Sequence, residues 1–130
     1  MGAVVVDTDV MSFVFKGDTR TELYRAHLTG QTWIASFMAV AELDRWALAR
    51  NWGQPRRERL EQLLERIAIC YANRDLCRLW AEASDSARRN GKPISCADAW
   101  TAAVALMLNT PLLTHNAADY QGVAGLHLIG

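Results

Sequence analysis

The hydrophobic pattern opens with an uninterrupted run. Residues 2–6 are small or β-branched and apolar, with Val4, Val5 and Val6 in succession and no polar alternation. Such a run predicts a strand covered on both faces. A short helix is predicted over 10–15, ended by Lys16-Gly17-Asp18, and a second over 20–28, stopping at Gly30. Residues 31–35 read as a brief second strand. Ser36 is placed to cap a helix running to residue 50, which Asn51-Trp52-Gly53 breaks. Pro55 suits the first turn of the next helix, over 56–66, with Leu60, Leu63 and Leu64 on its inner side.

The same alternation continues to the end of the chain. Strands are predicted over 68–72, 112–114 and 126–129, and helices over 75–89 and 95–108. In the first of these helices Leu76, Leu79, Trp80 and Ala83 form the apolar stripe. Strands separated by helices and short turns predict an α/β fold: one domain over 1–130, with a mainly parallel central sheet of about four or five strands flanked by helices. In an open parallel sheet the functional crevice lies beyond the carboxyl ends of the strands. Four acids, Asp7, Glu42, Asp98 and Asp119, fall at or near such junctions.

Each acid also has an ordinary structural use. Asp7 can cap a helix, unless Thr8 or Asp9 does so. Glu42 can be a solvated glutamate on a mixed helix face with Met38, Arg45, Trp46 and Ala49. Ser95-x-x-Asp98 approximates a capping box, and Asp119 lies among turn-forming residues. If the four do converge, their charges repel and need a counter-cation. A hard divalent ion, Mg2+ or Mn2+, takes oxygen ligands and keeps positions for substrate phosphate. Thr114 and Asn116, beside Asp119, are candidates for orienting water or a carboxylate, and Thr8 and Asp9 for supporting Asp7.

Composition narrows the alternatives. A chain with 51% apolar and 22% charged residues is expected to fold. Basic and acidic residues balance at 14 each, which gives no broad basic face. Twelve of the basic residues are arginines, the better planar partner for phosphate. Arg56, Arg57 and Arg59, beside Trp52, are the first candidates for gripping a substrate's phosphates; the competing use is a solvated helix face laced by Glu61 and Glu65. Cys70, Cys77 and Cys96 are odd in number, with no CxxC, and suggest a reducing compartment. No signal-peptide pattern and no membrane-length apolar run is present, so the expected location is cytoplasmic. Phosphate-binding glycine motifs, HExxH and GxSxG are absent from the sequence. Of His27, His115 and His127, only His115 lies in a candidate site loop.

Four stretches carry a family resemblance: Val4-Val5-Val6-Asp7-Thr8-Asp9-Val10; Ala41-Glu42-Leu43; the segment from Pro93 through Ser95 and Asp98 to Ala103; and the segment from Pro111 through Thr114, His115, Asn116 and Asp119 to Tyr120, followed by Gly125-Leu126. In this order and spacing the chain resembles PIN-domain proteins, and most closely the VapC-type toxin nucleases of bacterial type II toxin–antitoxin pairs. The resemblance implies a Mg2+- or Mn2+-dependent endoribonuclease, a homodimer, and inhibition by a cognate antitoxin. It implies an RNA substrate, with structured RNA such as tRNA among the family's targets. It places the acidic ligand set on Asp7, Glu42 and Asp98, with Asp119 as fourth acid and Asn116 nearer the strand. Tyr120 stands where phenylalanine is commoner in this pattern. Two rival readings are another metal-dependent phosphodiesterase or phosphatase, and a non-catalytic partner-binding domain that keeps the acidic pocket.

Overall fold

In the computed structural model, which describes residues 2–129, five strands form one sheet in the order β3-β2-β1-β4-β5, and every neighbouring pair is parallel. Met1 and Gly130, the ends of the expected domain, lie outside the described residues. The strands are β1 (Ala3–Val6), β2 (Thr32–Ser36), β3 (Ala68–Cys70), β4 (Leu112–Leu113) and β5 (Leu128–Ile129). The helices are α1 (Thr8–Lys16), α2 (Arg25–Leu28), α3 (Phe37–Ala49), α4 (Gln54–Glu65), α5 (Arg74–Arg89) and α6 (Cys96–Leu108). Short 3-10 segments occupy Thr19–Leu23 and Ala117–Tyr120.

The run of valines feeds two cores at once. Val4 and Val6 join Val10, Met11, Leu43, Leu60, Leu64 and Leu113 on one face of the sheet, against α1, α3 and α4. Val5 joins Leu76, Ala83, Ala102, Val104, Leu112 and Tyr120 on the other face, against α5 and α6. Successive strand side chains point to opposite faces, so a central strand with both faces covered has no position for a polar residue. This is why the opening run shows no alternation.

Most expected elements form, with shifted ends. Helix α1 starts at Thr8, two residues early, because Asp7 itself is the cap and its carboxylate accepts from the Thr8 N–H at 2.8 Å. The helix expected over 20–28 is divided: Tyr24 ends the 3-10 segment before α2 begins. Its ring is 4% exposed and packs beside Phe13. Strand β3 stops at Cys70, β4 at Leu113, and β5 begins at Leu128, each shorter than its apolar run suggested. Gly17 and Asn109 adopt left-handed conformations that close α1 and α6. Gly122 has a packing role: a Cβ there would lie 2.6 Å from the Lys92 carbonyl oxygen. With the Asn90 amide donating to the Gly122 carbonyl at 2.9 Å, this ties the chain just after Tyr120 to the end of α5.

Candidate active site

Strand alternation carries three polar side chains to the same place. Asp7 keeps extended geometry as it leaves β1 (φ −71°, ψ 158°), so it has the parity of Val5 and turns toward the α5/α6 face. Ser36, at the end of β2, has the parity of Ile34 and meets Thr101 of α6 at 3.2 Å. Thr114, just past β4, has the parity of Leu112 and donates its hydroxyl to Asp7 Oδ2 at 2.7 Å. The carboxyl edge of β2-β1-β4 is therefore polar, and α6 presents Asp98 to it from the first turn.

An open hollow of about 150 Å3 lies beyond this edge, lined by Asp7, Thr8, Asp9, Glu42, Trp46, Asp98, Asn116 and Asp119. All four acids proposed from the sequence are in that set. A larger hollow of about 570 Å3 lies between α3 and α4, but none of the four lines it. Chemistry outranks size here.

The acids are held by neutral donors. Asp7 is 6% exposed and accepts from the Thr8 N–H, the Thr114 hydroxyl and the Tyr120 hydroxyl, the last at 2.8 Å. Glu42, from the middle of α3, accepts from the Thr8 hydroxyl at 2.8 Å. Asp9 accepts from the Asn116 amide at 2.8 Å and from the His115 N–H at 3.2 Å, which fastens the loop after β4 to α1. Asp98 accepts from the Tyr120 hydroxyl at 3.2 Å, while its own N–H donates to the Ser95 cap at 3.1 Å. Capping and site membership thus coexist at Asp7, whereas at the start of α6 the cap is Ser95 and the Asp98 carboxylate turns to Tyr120. Asp119 is exposed at the rim.

The electrostatics are those of uncompensated negative charge. Burial, followed by repulsion from Asp9, pushes the Asp7 carboxyl up to about 7, against the pull of its three donors. Burial also raises Asp98; the Ser95 and Tyr120 hydroxyls oppose that shift, while Asp119 and Asp9 add to it. The donor set is all oxygen, which suits a hard divalent cation over a soft one. Among the described residues no three carboxylates already stand close enough to cage an ion. Glu42 and Asp98 are each held by a hydroxyl partner, Thr8 and Tyr120 respectively.

Other sequence candidates fall elsewhere. Trp52 is 7% exposed, its ring stacked on Phe15 at 5.1 Å with the Arg56 guanidinium 4.5 Å away. The expected part of Trp52 in gripping substrate beside the arginines is therefore corrected: the ring is enclosed by packing. Arg57 donates to the Trp52 carbonyl at 2.9 Å, and Arg59 lies over Phe15. None of these arginines lines the acidic hollow. Among the described residues the lacing to Glu61 and Glu65 does not form; the ion pairs are instead those of Arg20, Arg25, Arg78, Arg88 and Arg89. The His115 ring is hydrogen-bonded to the Tyr24 hydroxyl and does not line the hollow. Trp46, already placed on the Glu42 face by helical spacing, lines the hollow. Sequence reasoning missed Tyr120 as a participant, since it carries no such local signal.

Comparison with known proteins decides the family. The PIN-domain model matches residues 4–126. The chain belongs to the PIN-domain family. It is 30% identical over 125 residues to Ribonuclease VapC1 of Haemophilus influenzae (strain R2866), covering 94% of this chain and 92% of that protein. Among solved PIN-domain structures, that of VapBC-1 from nontypeable Haemophilus influenzae has a TM-score of 0.77 at 27% identity, covering 99% of this chain and 97% of that one. VapBC2 from Rickettsia felis, bound to a DNA fragment from its promoter, shares the fold with a TM-score of 0.84 at 18% identity, covering 99% and 98%. The α/β architecture with its parallel sheet is that of these PIN-domain structures.

Proposed function

We propose that this PIN-domain chain is the toxin of a toxin–antitoxin pair, an endoribonuclease that hydrolyses RNA phosphodiester bonds with Mg2+ or Mn2+. The observation carrying the reading is the convergence of Asp7, Glu42, Asp98 and Asp119 on one hollow at the carboxyl edge of the sheet. Its context is 30% identity to a ribonuclease across nearly the whole chain.

In this reading Asp7 and Asp98 are the principal ligands, with Glu42 and Asp119 completing the acidic set. When bound, the ion would activate water and offset charge growing on the phosphoryl oxygens. The chain's own residues prepare that step. Thr8 and Thr114 hold Asp7 at the strand end, and Thr8 also fixes Glu42. Asn116 holds Asp9, keeping the loop that carries Asp119 against α1. The buried Asp7 charge favours a cation strongly and phosphate poorly, so substrate binding should follow metal binding. Grip on the rest of the RNA falls to arginines beyond the hollow. Arg56 and Arg59 are the candidates, since among the described residues neither is committed to an ion pair and neither, unlike Arg57, is tied to a backbone carbonyl.

The partners proposed with this activity are a structured RNA such as tRNA, a cognate antitoxin and a second copy of the chain, acting in the cytoplasm. The antitoxin is supported by VapBC complexes of the same fold. The decisive experiment offers purified protein an RNA, a single-stranded DNA and a small phosphoester with Mg2+ or Mn2+, then maps cleavage ends in total RNA. Discrete metal-dependent RNA ends support the proposal. Hydrolysis of the phosphoester alone would favour a phosphatase, and no hydrolysis a partner-binding domain.

A further inference from the structure

Tyr120 is among the largest side chains in the protein with no meaningful exposure, at 1%. Its ring belongs to the core under α5 and α6, a role phenylalanine would fill equally well. The hydroxyl is what needs explaining. It reaches Asp7 Oδ2 at 2.8 Å and Asp98 Oδ1 at 3.2 Å, spanning acids that come from β1 and α6, two separate elements.

Asp7 Oδ2 takes two hydroxyls, from Thr114 and Tyr120, whereas Asp7 Oδ1 takes only the Thr8 N–H. Each carboxylate oxygen has two acceptor sites, so Oδ1 is the oxygen of Asp7 with capacity to spare. At Asp98 the same hydroxyl occupies Oδ1 and leaves Oδ2 on the opposite side of the carboxylate. The hydroxyl has a single proton, which the two carboxylates share in an unequal three-centre bond with Asp7 the nearer partner, and this one bond sets the rotation of both. The element that carries it is braced: Gly122 packs on the Lys92 carbonyl, and the Asn90 amide holds the Gly122 carbonyl.

We infer that Tyr120 is a positioning residue for the cation site, its hydroxyl orienting Asp7 and Asp98 so that one defined oxygen of each turns to the divalent ion. This rests on the metal-dependent reading of the hollow. Partners of this kind, which hold a ligand without touching the metal, are worth about 10- to 100-fold in metal affinity or activity.

The test is a calorimetric Mn2+ titration of the full-length wild type and Tyr120→Phe, with thermal melts of both in chelator. The inference predicts Mn2+ affinity about 10- to 100-fold lower in Tyr120→Phe. It also predicts that cleavage by the variant is recovered at excess Mn2+, with KM for RNA unchanged. Equal or tighter Mn2+ binding by the variant overturns it, as does a lowered melting temperature with unchanged affinity. Should the variant not fold, NMR of wild-type protein with labelled tyrosine decides. A protected Tyr120 hydroxyl proton that moves on Mg2+ titration supports the inference, and one that does not move overturns it. Failure of the wild type to bind Mn2+ at all would instead remove the reading of the site on which the inference stands.

Discussion

The Thr114 hydroxyl donates to Asp7 across 2.7 Å, joining the carboxyl ends of two neighbouring parallel strands. Thr114 is itself buried and accepts the Asn116 N–H at 3.1 Å, so one side chain ties β1, β4 and the loop beyond. A hydrogen bond to an ionised buried group contributes about 1.5–3 kcal/mol. Thr114→Val is expected to destabilise the metal-free protein by about 2 kcal/mol at pH 8, where Asp7 is charged. The cost should be clearly smaller at pH 5, where Asp7 holds a proton. Urea melts at the two pH values measure this.

The placement of Asp7 was legible in the sequence because a buried strand fixes the parity of the residue that follows it. The competition assumed between capping and site was not real: the carboxylate has enough acceptor positions to serve a cap and a hollow together. Glu42 and Asp98 could be assigned to helices, but their direction depended on how α3 and α6 cross the sheet, which no local pattern records. The single helix expected over 20–28 failed because Tyr24 is drawn into the core beside Phe13, a tertiary contact. The enclosure of Trp52 was hidden for the same reason: Asn51-Trp52-Gly53 marked only the end of α3, whereas the stacking partner, Phe15, comes from α1. The Tyr120 bridge joins residues 113 positions apart and was invisible from sequence spacing.

The buried acids should make metal-free stability depend on pH in an unusual direction. The folded Asp7 carboxyl titrates near 7 and its ordinary value is 3.8, so between these the native state holds a proton that the unfolded chain has released. Stability must then fall as pH rises through this window and level off above it. The Asp7 contribution is about 4 kcal/mol at its upper bound, and Asp98 acts in the same direction. Asp18, Glu22 and Asp85 are shifted downward by arginine partners and act at lower pH. Melts from pH 5 to 8 in chelator should show the decline. Asp7→Asn should flatten it, raising stability at pH 8, and saturating Mg2+ should also suppress it.

The arginines on α4 lead to a salt-dependent prediction. Arg56→Ala with Arg59→Ala is expected to weaken RNA binding across sequences and to reduce the salt slope by about 0.7 per lost single-strand phosphate contact. Mn2+ affinity should not change, because neither residue lines the acidic hollow. Binding isotherms over a range of salt concentrations check both parts. An unchanged slope would leave Arg56 and Arg59 with only their packing over Phe15 and Trp52.

The central claim is that Asp7 and Asp98 together hold the cation that makes this protein a ribonuclease. The most direct measurement is RNA cleavage across a Mn2+ titration for wild type, Asp7→Asn and Asp98→Asn, each shown to be folded. The account predicts cleavage that rises with Mn2+ in the wild type and is lost in both variants, although Asp7→Asn is the more stable fold in chelator at pH 8. Cleavage by either variant at the wild-type rate and with the wild-type metal dependence would contradict it.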